Sequence, residues 1–355
     1  VTQLLPQLEI ARKAVFQSDA MRSFIFITLA FIFIYLFLNK KIKREMLFAA
    51  LGIFILIDLW TVDMRFLGEK AFVTKSQNMA SFEKTAADEK ILQDQDPDYR
   101  VLNLSTSPFQ DAATSYWHKS IGGYHGAKLK KYQELIDFHY QGQVQQFYAG
   151  INKTSGNDTL IDALFAKLQI LNMLNTKYLI IPVGEDKSVP IMNPEANGNV
   201  WFVKEITLAE NADQEITGLG KINTKTQAIM QTKFKNDVKV EPSYSAEGSI
   251  KLKSYKPNDL VYESESNAAQ FAVFSEIYYP KGWNAYIDGN LTPHAAVDYV
   301  LRGMNIPSGK HKIEFKFEPQ TYKTGNSIAM VGSVLVIVTV AGGIYMEMKK
   351  GKTAV

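Results

Sequence analysis

The sequence predicts a membrane protein of α+β class: three transmembrane helices, an extracytoplasmic mixed α/β unit and a C-terminal β-sandwich resembling a jelly roll. Three observations lead there. Long apolar blocks stand at Ser23–Leu38, Met46–Trp60 and Ser327–Met346. Between about residues 80 and 230, helical spacing alternates with short strand patterns. From Asp237 onward strand follows strand, separated by turn signals.

Residues 1–22 carry an apolar stripe through Leu5, Leu8, Ala11, Val15 and Phe16, which suits a helix lying at the membrane interface on the outer side. The chain begins at Val1 without a signal peptide. Continuation of an outer loop from earlier spans explains that start, which would make the chain a C-terminal portion. A Val start codon on a complete protein is the alternative. Residues 23–62 read as a hairpin of two membrane helices. A crossing needs about twenty apolar residues. The block 327–346 has that length, and the first two reach it with the flanking Met21, Thr61 and Val62. Helices buried in a soluble protein rarely lack polar residues on every face.

The short loop "NKKIKRE" and the tail "KKGK" are basic, which sets both in the cytoplasm, with 347–355 as a cytoplasmic tail. The large domain between residues 63 and 326 then lies outside. Arg12, Lys13, Arg22 and Arg65 on the outer side oppose this orientation without reversing it.

The outer region divides into an α/β part, 63–235, and a β-sandwich, 236–321. In the first, a polar connection over Ala71–Asp98 precedes a strand at Tyr99–Leu104. Helical spacing marks Leu129–Tyr140 and Thr159–Asn175, and strands follow at "KYLIIP", ended by Pro182, and "VWFVKEI". In the second, "SIKLKSY", "LVYESES", "QFAVFSEIYY", "WNAYID", "YVLRGMNIP" and "HKIEFKFEP" alternate apolar and polar residues. "DGN" and "PSGKH" supply turns.

A formal charge of +3 and the lack of a basic stripe with stacking aromatics give no reason to expect nucleic acid. The chain has no cysteine, so disulfides and thiolate metal sites are excluded. Its five histidines show no metal-ligand spacing. "DQDPD" sets Asp94, Asp96 and Asp98 at alternate positions like the start of a calcium loop, but Tyr99 stands where that loop needs glycine. A solvated turn fits better. Four N-x-S/T sequons are chance occurrences.

"SEIYYPKGWNAYIDG" gathers aromatic and acidic residues. The rings of Trp283, Tyr278, Tyr279 and Tyr286 suit a sugar's C–H face, and Glu276 and Asp288 suit its hydroxyls. Packing of a small sandwich explains the same residues, and composition favours it, with Asp288 in the turn. Trp283, Tyr279 and Glu276 are the candidates for a ligand-facing edge. "WHKSIGGYHG" is a second candidate. Gly122 and Gly123 let backbone N–H groups approach an anion, with Tyr124, His118, His125, Lys128 and Lys130 nearby and a helix starting near Lys128. An ordinary glycine-rich turn is the alternative. Asp58 sits near the outer end of the second span, where a carboxylate is costly. It serves either a lipid-phosphate or metal site, or an ion pair with Arg12 or Arg65.

"SEIYYPKGWNAYIDG", then "LRGMNIPSGKHKIEFKFEP" and a final span, resemble the C-terminal end of YfhO-type bacterial membrane proteins. "LLPQLEIARKAVFQSDAMRS", "DLWTVDMRFL", "IGGYHGAKLKKYQELID", "LNMLNTKYLI" and "VWFVKE" are similar to other segments of that family in the same order. The resemblance implies a relative of GT-C glycosyltransferases in the bacterial cytoplasmic membrane. Such enzymes move a sugar from a polyprenyl-phosphate donor to a cell-envelope glycan or polymer outside the cytoplasm. Their catalytic carboxylate, and any divalent metal that it serves, belong to an early outer loop that this chain does not contain. This part would bind or position the acceptor. A non-catalytic, membrane-anchored glycan-binding or accessory protein is the alternative.

Overall fold

The structure, a computed structural model, describes residues 4–80, 82–154, 156–184 and 187–352. The start at Val1 and the last three residues of the expected tail lie outside it. The chain forms two compact units, residues 1–83 and 84–355. Among the described residues, three helices are long and apolar enough to cross a membrane: Pro6–Leu38, Arg44–Phe66 and Gln320–Met346. This is a membrane protein, and lipid is the environment of those helices.

The first unit is an antiparallel helical hairpin. Its first helix runs unbroken from Leu4 to Leu38. The interfacial helix expected over 1–22 and the span expected from residue 23 are therefore one element. Neither Gly nor Pro occurs between Gln7 and Leu38, and Pro6 sits in the first turn, where its missing N–H costs nothing. The chain reverses at Lys40, which has a φ of 54°. The second helix runs from Arg44 to Phe66, a turn beyond the expected end. Phe54 packs against Phe26 and Phe33, with ring centroids 6.4 and 5.4 Å away.

In the second unit, β1 (Arg100–Asn103), β2 (Thr176–Pro182) and β3 (Ser188–Met192) make a mixed three-stranded sheet. The segment Thr159–Asn175 reads as one amphipathic helix, yet it folds as two, Asp158–Phe165 and Gln169–Met173. Ile170 to Leu174 are all buried, so no single helical face could cover them. The break at residues 166–168 lets Phe165, Leu168 and this run all reach the core. Likewise, the helix expected over Leu129–Tyr140 starts at Lys130 and widens into a π turn at Ile136–Tyr140, then continues as Gln141–Thr154.

The remaining strands are β4 (Val200–Val203), β5 (Glu205–Ala209), β6 (Gln227–Gln231), β7 (Ser249–Lys256), β8 (Asp259–Ser266), β9 (Gln270–Ile277), β10 (Trp283–Ile287), β11 (Asn290–Thr292), β12 (Ala295–Val297), β13 (Leu301–Ile306) and β14 (Gly309–Phe317). β5 and β6 pair in parallel. The sandwich stacks a five-stranded sheet, β11-β10-β14-β8-β7, on a four-stranded one, β12-β13-β9-β4. β4 moves the expected boundary at residues 235/236. This strand precedes it in sequence but pairs antiparallel with β9 from Val200 to Val203.

The four-stranded sheet is covered on both faces. Ala272 and Phe274 of β9, with Met304 and Ile306 of β13, enter the sandwich core beside Tyr262 and Phe315. Phe271 and Val273, with Leu301, join Leu102, Leu171 and Leu179 of the α/β part in a second core. A sheet buried on both sides reads as a continuous apolar run rather than an alternation, as "QFAVF" does. The two parts of the second unit thus share one core. Phe271→Ala, although it lies in the sandwich, should cost about 3–5 kcal/mol and lower both parts together. Denaturant unfolding with hydrogen exchange should show β2 amides losing protection in step with those of β13.

Candidate functional site

At the end of the sandwich where β14 leads to the terminal helix Gln320–Lys352, the core turns polar. Alternation on β13 places Arg302 on the same inward face as Met304 and Ile306, and pairing sets it opposite Phe274 of β9. Just beyond Phe274 the register slips: Arg302 pairs with Phe274, but Leu301 pairs with Ile277, leaving Ser275 and Glu276 as a bulge. A bulge re-aims side chains. Here Ser275 Oγ donates to Met173 O at 2.8 Å, and Glu276 lies near Arg302.

Arg302 is 2 % exposed. Its guanidinium lies 4.3 Å from the Trp283 ring centroid and 5.1 Å from that of Phe315, and its Nε donates to Ile277 O at 3.2 Å. Arg100 reaches in from β1, donating to Leu174 O, Ser275 Oγ and Ser275 O at 2.7–2.9 Å. Its Nη2 is 3.9 Å from Glu276 Oε1. Burial raises the proton affinity of Glu276, and Arg100 opposes that shift. Burial lowers the pKa of Arg302, and Glu276 opposes it. Among the described residues, four buried atoms here find no hydrogen-bond partner: Arg302 Nη1, Glu276 Oε1, Tyr262 Oη and His294 Nε2. Burial pushes His294 down to about 4, so its ring is neutral at physiological pH. Each buried group left unsatisfied costs about 1–3 kcal/mol. The set suits water or hydroxyl groups that both donate and accept.

Trp283 links this polar core end to the surface. Its ring meets Phe317 at 5.3 Å between centroids. Phe317 lines an open groove of about 1250 Å³ at the foot of the terminal helix, along with Tyr279, Lys281, Asn284, Glu318 and Lys323. Glu318 Oε2 accepts from Asn284 Nδ2 at 3.0 Å and Tyr286 Oη at 2.8 Å, and these bonds hold its pKa below the usual range. Gly282 shapes the groove wall. It has a φ of 136°, and a Cβ there would come within 2.7 Å of the Phe317 ring. The apolar stretch from Ser327 begins seven residues into the helix, about 10 Å above the groove by helical rise.

The structure thus brings Trp283 and Glu276 together through Arg302 and sets Tyr279 on the groove. Asp288 lies elsewhere. It occupies the left-handed turn after β10 with a φ of 51°. Its carboxylate accepts from Lys312 N at 2.9 Å and contacts His311 Nδ1 at 2.7 Å. β10 separates it from Trp283 by roughly 16 Å.

The glycine loop is spoken for internally. Gly122 N donates to Ser120 Oγ at 3.0 Å and Gly123 N to Pro108 O at 2.6 Å. A Cβ on Gly122 would sit 1.8 Å from Pro108 O, so close backbone approach explains that glycine. His125 Nδ1 accepts from Ala127 N at 3.0 Å, Lys128 donates to Gln133 at 2.7 Å, and Tyr124 is exposed. The helix begins at Lys130 and is six residues long before the π turn.

Asp58 pairs with Arg22, in place of the expected Arg12 or Arg65, and Arg65 pairs with Asp19 at 2.6 Å. The hairpin explains the choice: residues 22 and 58 are equidistant from the reversal at Lys40. Asp94 and Asp96 share Lys177 at 2.7 and 3.0 Å, and Asp98 pairs with Lys119. Among the described residues, no group of three or more acids and histidines is placed to hold a metal.

Residues 216–329 match the family model described as bacterial membrane protein YfhO. The YfhO match runs from the helix before β6 through the whole five-stranded sheet to the first turns of the terminal helix, so it contains Glu276, Trp283, Arg302 and Glu318. It bears out the YfhO-type resemblance over that stretch. No curated protein and no solved structure matches the chain.

Arg302 and Arg100 were the residues that sequence reasoning missed. The signal was present in "LRGMNI", where strict alternation puts a charge on an inward face. Arg302→Ala leaves Glu276 short of one partner and should lower unfolding stability by about 3–5 kcal/mol, read by urea titration. Gly122→Ala should cost about 1–3 kcal/mol, because the Pro108 backbone must move.

Proposed function

We propose that this chain is the glycan-handling part of a membrane glycosyltransferase-like protein, and that the groove beside the terminal helix holds a saccharide next to the bilayer. The observation that carries this reading is the groove itself. Phe317 and Tyr279 offer flat apolar area, while Asn284 and the fixed carboxylate of Glu318 offer aimed polar atoms, all at the foot of an apolar helix. That combination is what a sugar site needs. The match to a bacterial membrane protein family supports a bacterial setting. In this reading the folded region faces outward from the cytoplasmic membrane. A polyprenyl-phosphate carrier supplies the sugar from within the bilayer, and the groove positions the cell-envelope glycan or polymer that accepts it. The catalytic carboxylate, and any divalent metal serving it, belong outside these residues.

A second reading, a non-catalytic glycan-binding or accessory protein, draws on Glu318. Hydrogen bonds from Asn284 and Tyr286 favour its ionised form and occupy one oxygen. Such a carboxylate is a hydrogen-bond acceptor more than a general base.

The test uses the full chain in lipid nanodiscs. Purified bacterial wall polymer is titrated in, and transfer from radiolabelled polyprenyl-phosphate-glucose is assayed in parallel. Tyr279→Ala and Asn284→Ala should each weaken polymer binding about tenfold, the equivalent of ~1.4 kcal/mol, with unchanged melting. Equal binding by wild type and both variants would remove the groove from the proposal. Sugar transfer by the chain alone would overturn the assignment of catalysis to another segment.

A further inference from the structure

A second polar cluster lies where the β12–β13 turn meets the α/β part. Asp298 and Tyr299 both adopt left-handed backbone, with φ of 49° and 70°, and neither is glycine. Such strain persists only where the surroundings enforce it, and it gathers at switches and functional sites. Here the enforcement is visible. Asp298 N donates to Ile229 O at 2.8 Å, and Ile229 N donates back to Asp298 Oδ1 at 2.9 Å. Tyr299 N donates to Glu215 Oε1 at 3.2 Å. Asp298 and Glu215 are both fully buried, and Asp298 Oδ2 has no hydrogen-bond partner among the described residues.

The charged and polar groups around the pair come from four elements. Helix 130–135 brings Lys131, 3.8 Å from Glu215 Oε2, and Glu134, which accepts from Tyr299 Oη at 2.5 Å. Helix 212–219 brings Asp213 and Glu215. The turn after β6 brings Lys233, and Gln231 at the end of β6 donates to Glu215 Oε2 at 2.5 Å. Glu215 thus has donors on both oxygens and a nearby ammonium. Asp298 has one donor on one oxygen. A buried carboxylate oxygen without a donor is costly, whereas its protonated form is not penalised in the same way.

We propose that Asp298 and Glu215 form a proton-binding latch: one proton, held mainly on Asp298, keeps the 298–299 turn closed against helix 212–219, and its loss loosens that contact. Burial pushes the Asp298 carboxyl up to about 8, and burial also raises Glu215. The folded state therefore keeps a proton that the unfolded chain, at the ordinary 3.8, has already released. Between these two values unfolding sheds a proton, so stability falls as pH rises. The latch is closed at pH 6 and opens above pH 8. Because the 298–299 turn leads into β13 and also bonds to Ile229 of β6, the latch gives proton concentration a hold on the contact between the sandwich and the α/β part.

The full chain in nanodiscs supplies the test. Wild type should melt lower at pH 9 than at pH 6, and Asp298→Asn, which keeps an acceptor for Ile229 N without a titrating proton, should at least halve that difference. In parallel, infrared titration of wild type should show a buried protonated carboxyl at pH 6 that is lost with a midpoint near pH 8 and is missing from Asp298→Asn. An unchanged pH dependence in the variant overturns the proposal. So does a wild-type spectrum without that carboxyl at pH 6, a result that stands even if the variant fails to fold.

Discussion

Phe271 and Phe274 lie three residues apart on β9 and belong to different cores. That strand, with β13, β12 and β4, makes a sheet that has no solvent face. The consequences spread outward. The α/β part must present an apolar surface to one side, which the buried run Ile170–Leu174 supplies only by breaking its helix. Gly303 must be glycine, because a Cβ there would press to 2.7 Å against Phe271 and Val297. Every polar group that enters this sheet must find its partners inside the protein. Arg302, Glu276 and Asp298 are the residues where that demand is met incompletely, and they are where chemistry collects.

The membrane helices and the sandwich strands were legible because each follows one simple period. Unbroken apolarity marked the spans, and alternation marked β7, β8, β10, β13 and β14. Domain boundaries were less legible. β4 was recognised as a strand, but its partner β9 lies some seventy residues later in the chain, and local pattern carries no record of a long-range pairing. The helix at Thr159–Asn175 misled for a related reason. Its spacing fits one amphipathic helix, and only the surrounding burial shows that Ile170 to Leu174 all need cover. Asn157 caps the true start of that segment, accepting from Leu160 N at 3.2 Å.

The candidate site was half legible. The block around Trp283 drew attention by composition, and the structure does join Trp283 to Glu276. It does so through a residue twenty-six positions from Glu276, on a strand noted only for its alternation. Asp288, within the same block, is at the wrong end of β10, since a strand carries its two ends far apart. The glycine pair looked like an anion cradle because close backbone approach and anion binding ask for the same residue. At Gly122 the approaching group is a carbonyl of the same chain.

Two residues, Glu318 and Pro319, connect β14 to the terminal helix. Glu318 N is bonded to Gly282 O at 2.6 Å, and proline fixes its own φ. Such a joint has no slack. A tilt of the span would therefore bear first on Gly282, which walls the groove. Behind that joint Phe317 lies 5.3 Å from the Trp283 ring, and the Arg302 guanidinium lies 4.3 Å from that ring in turn.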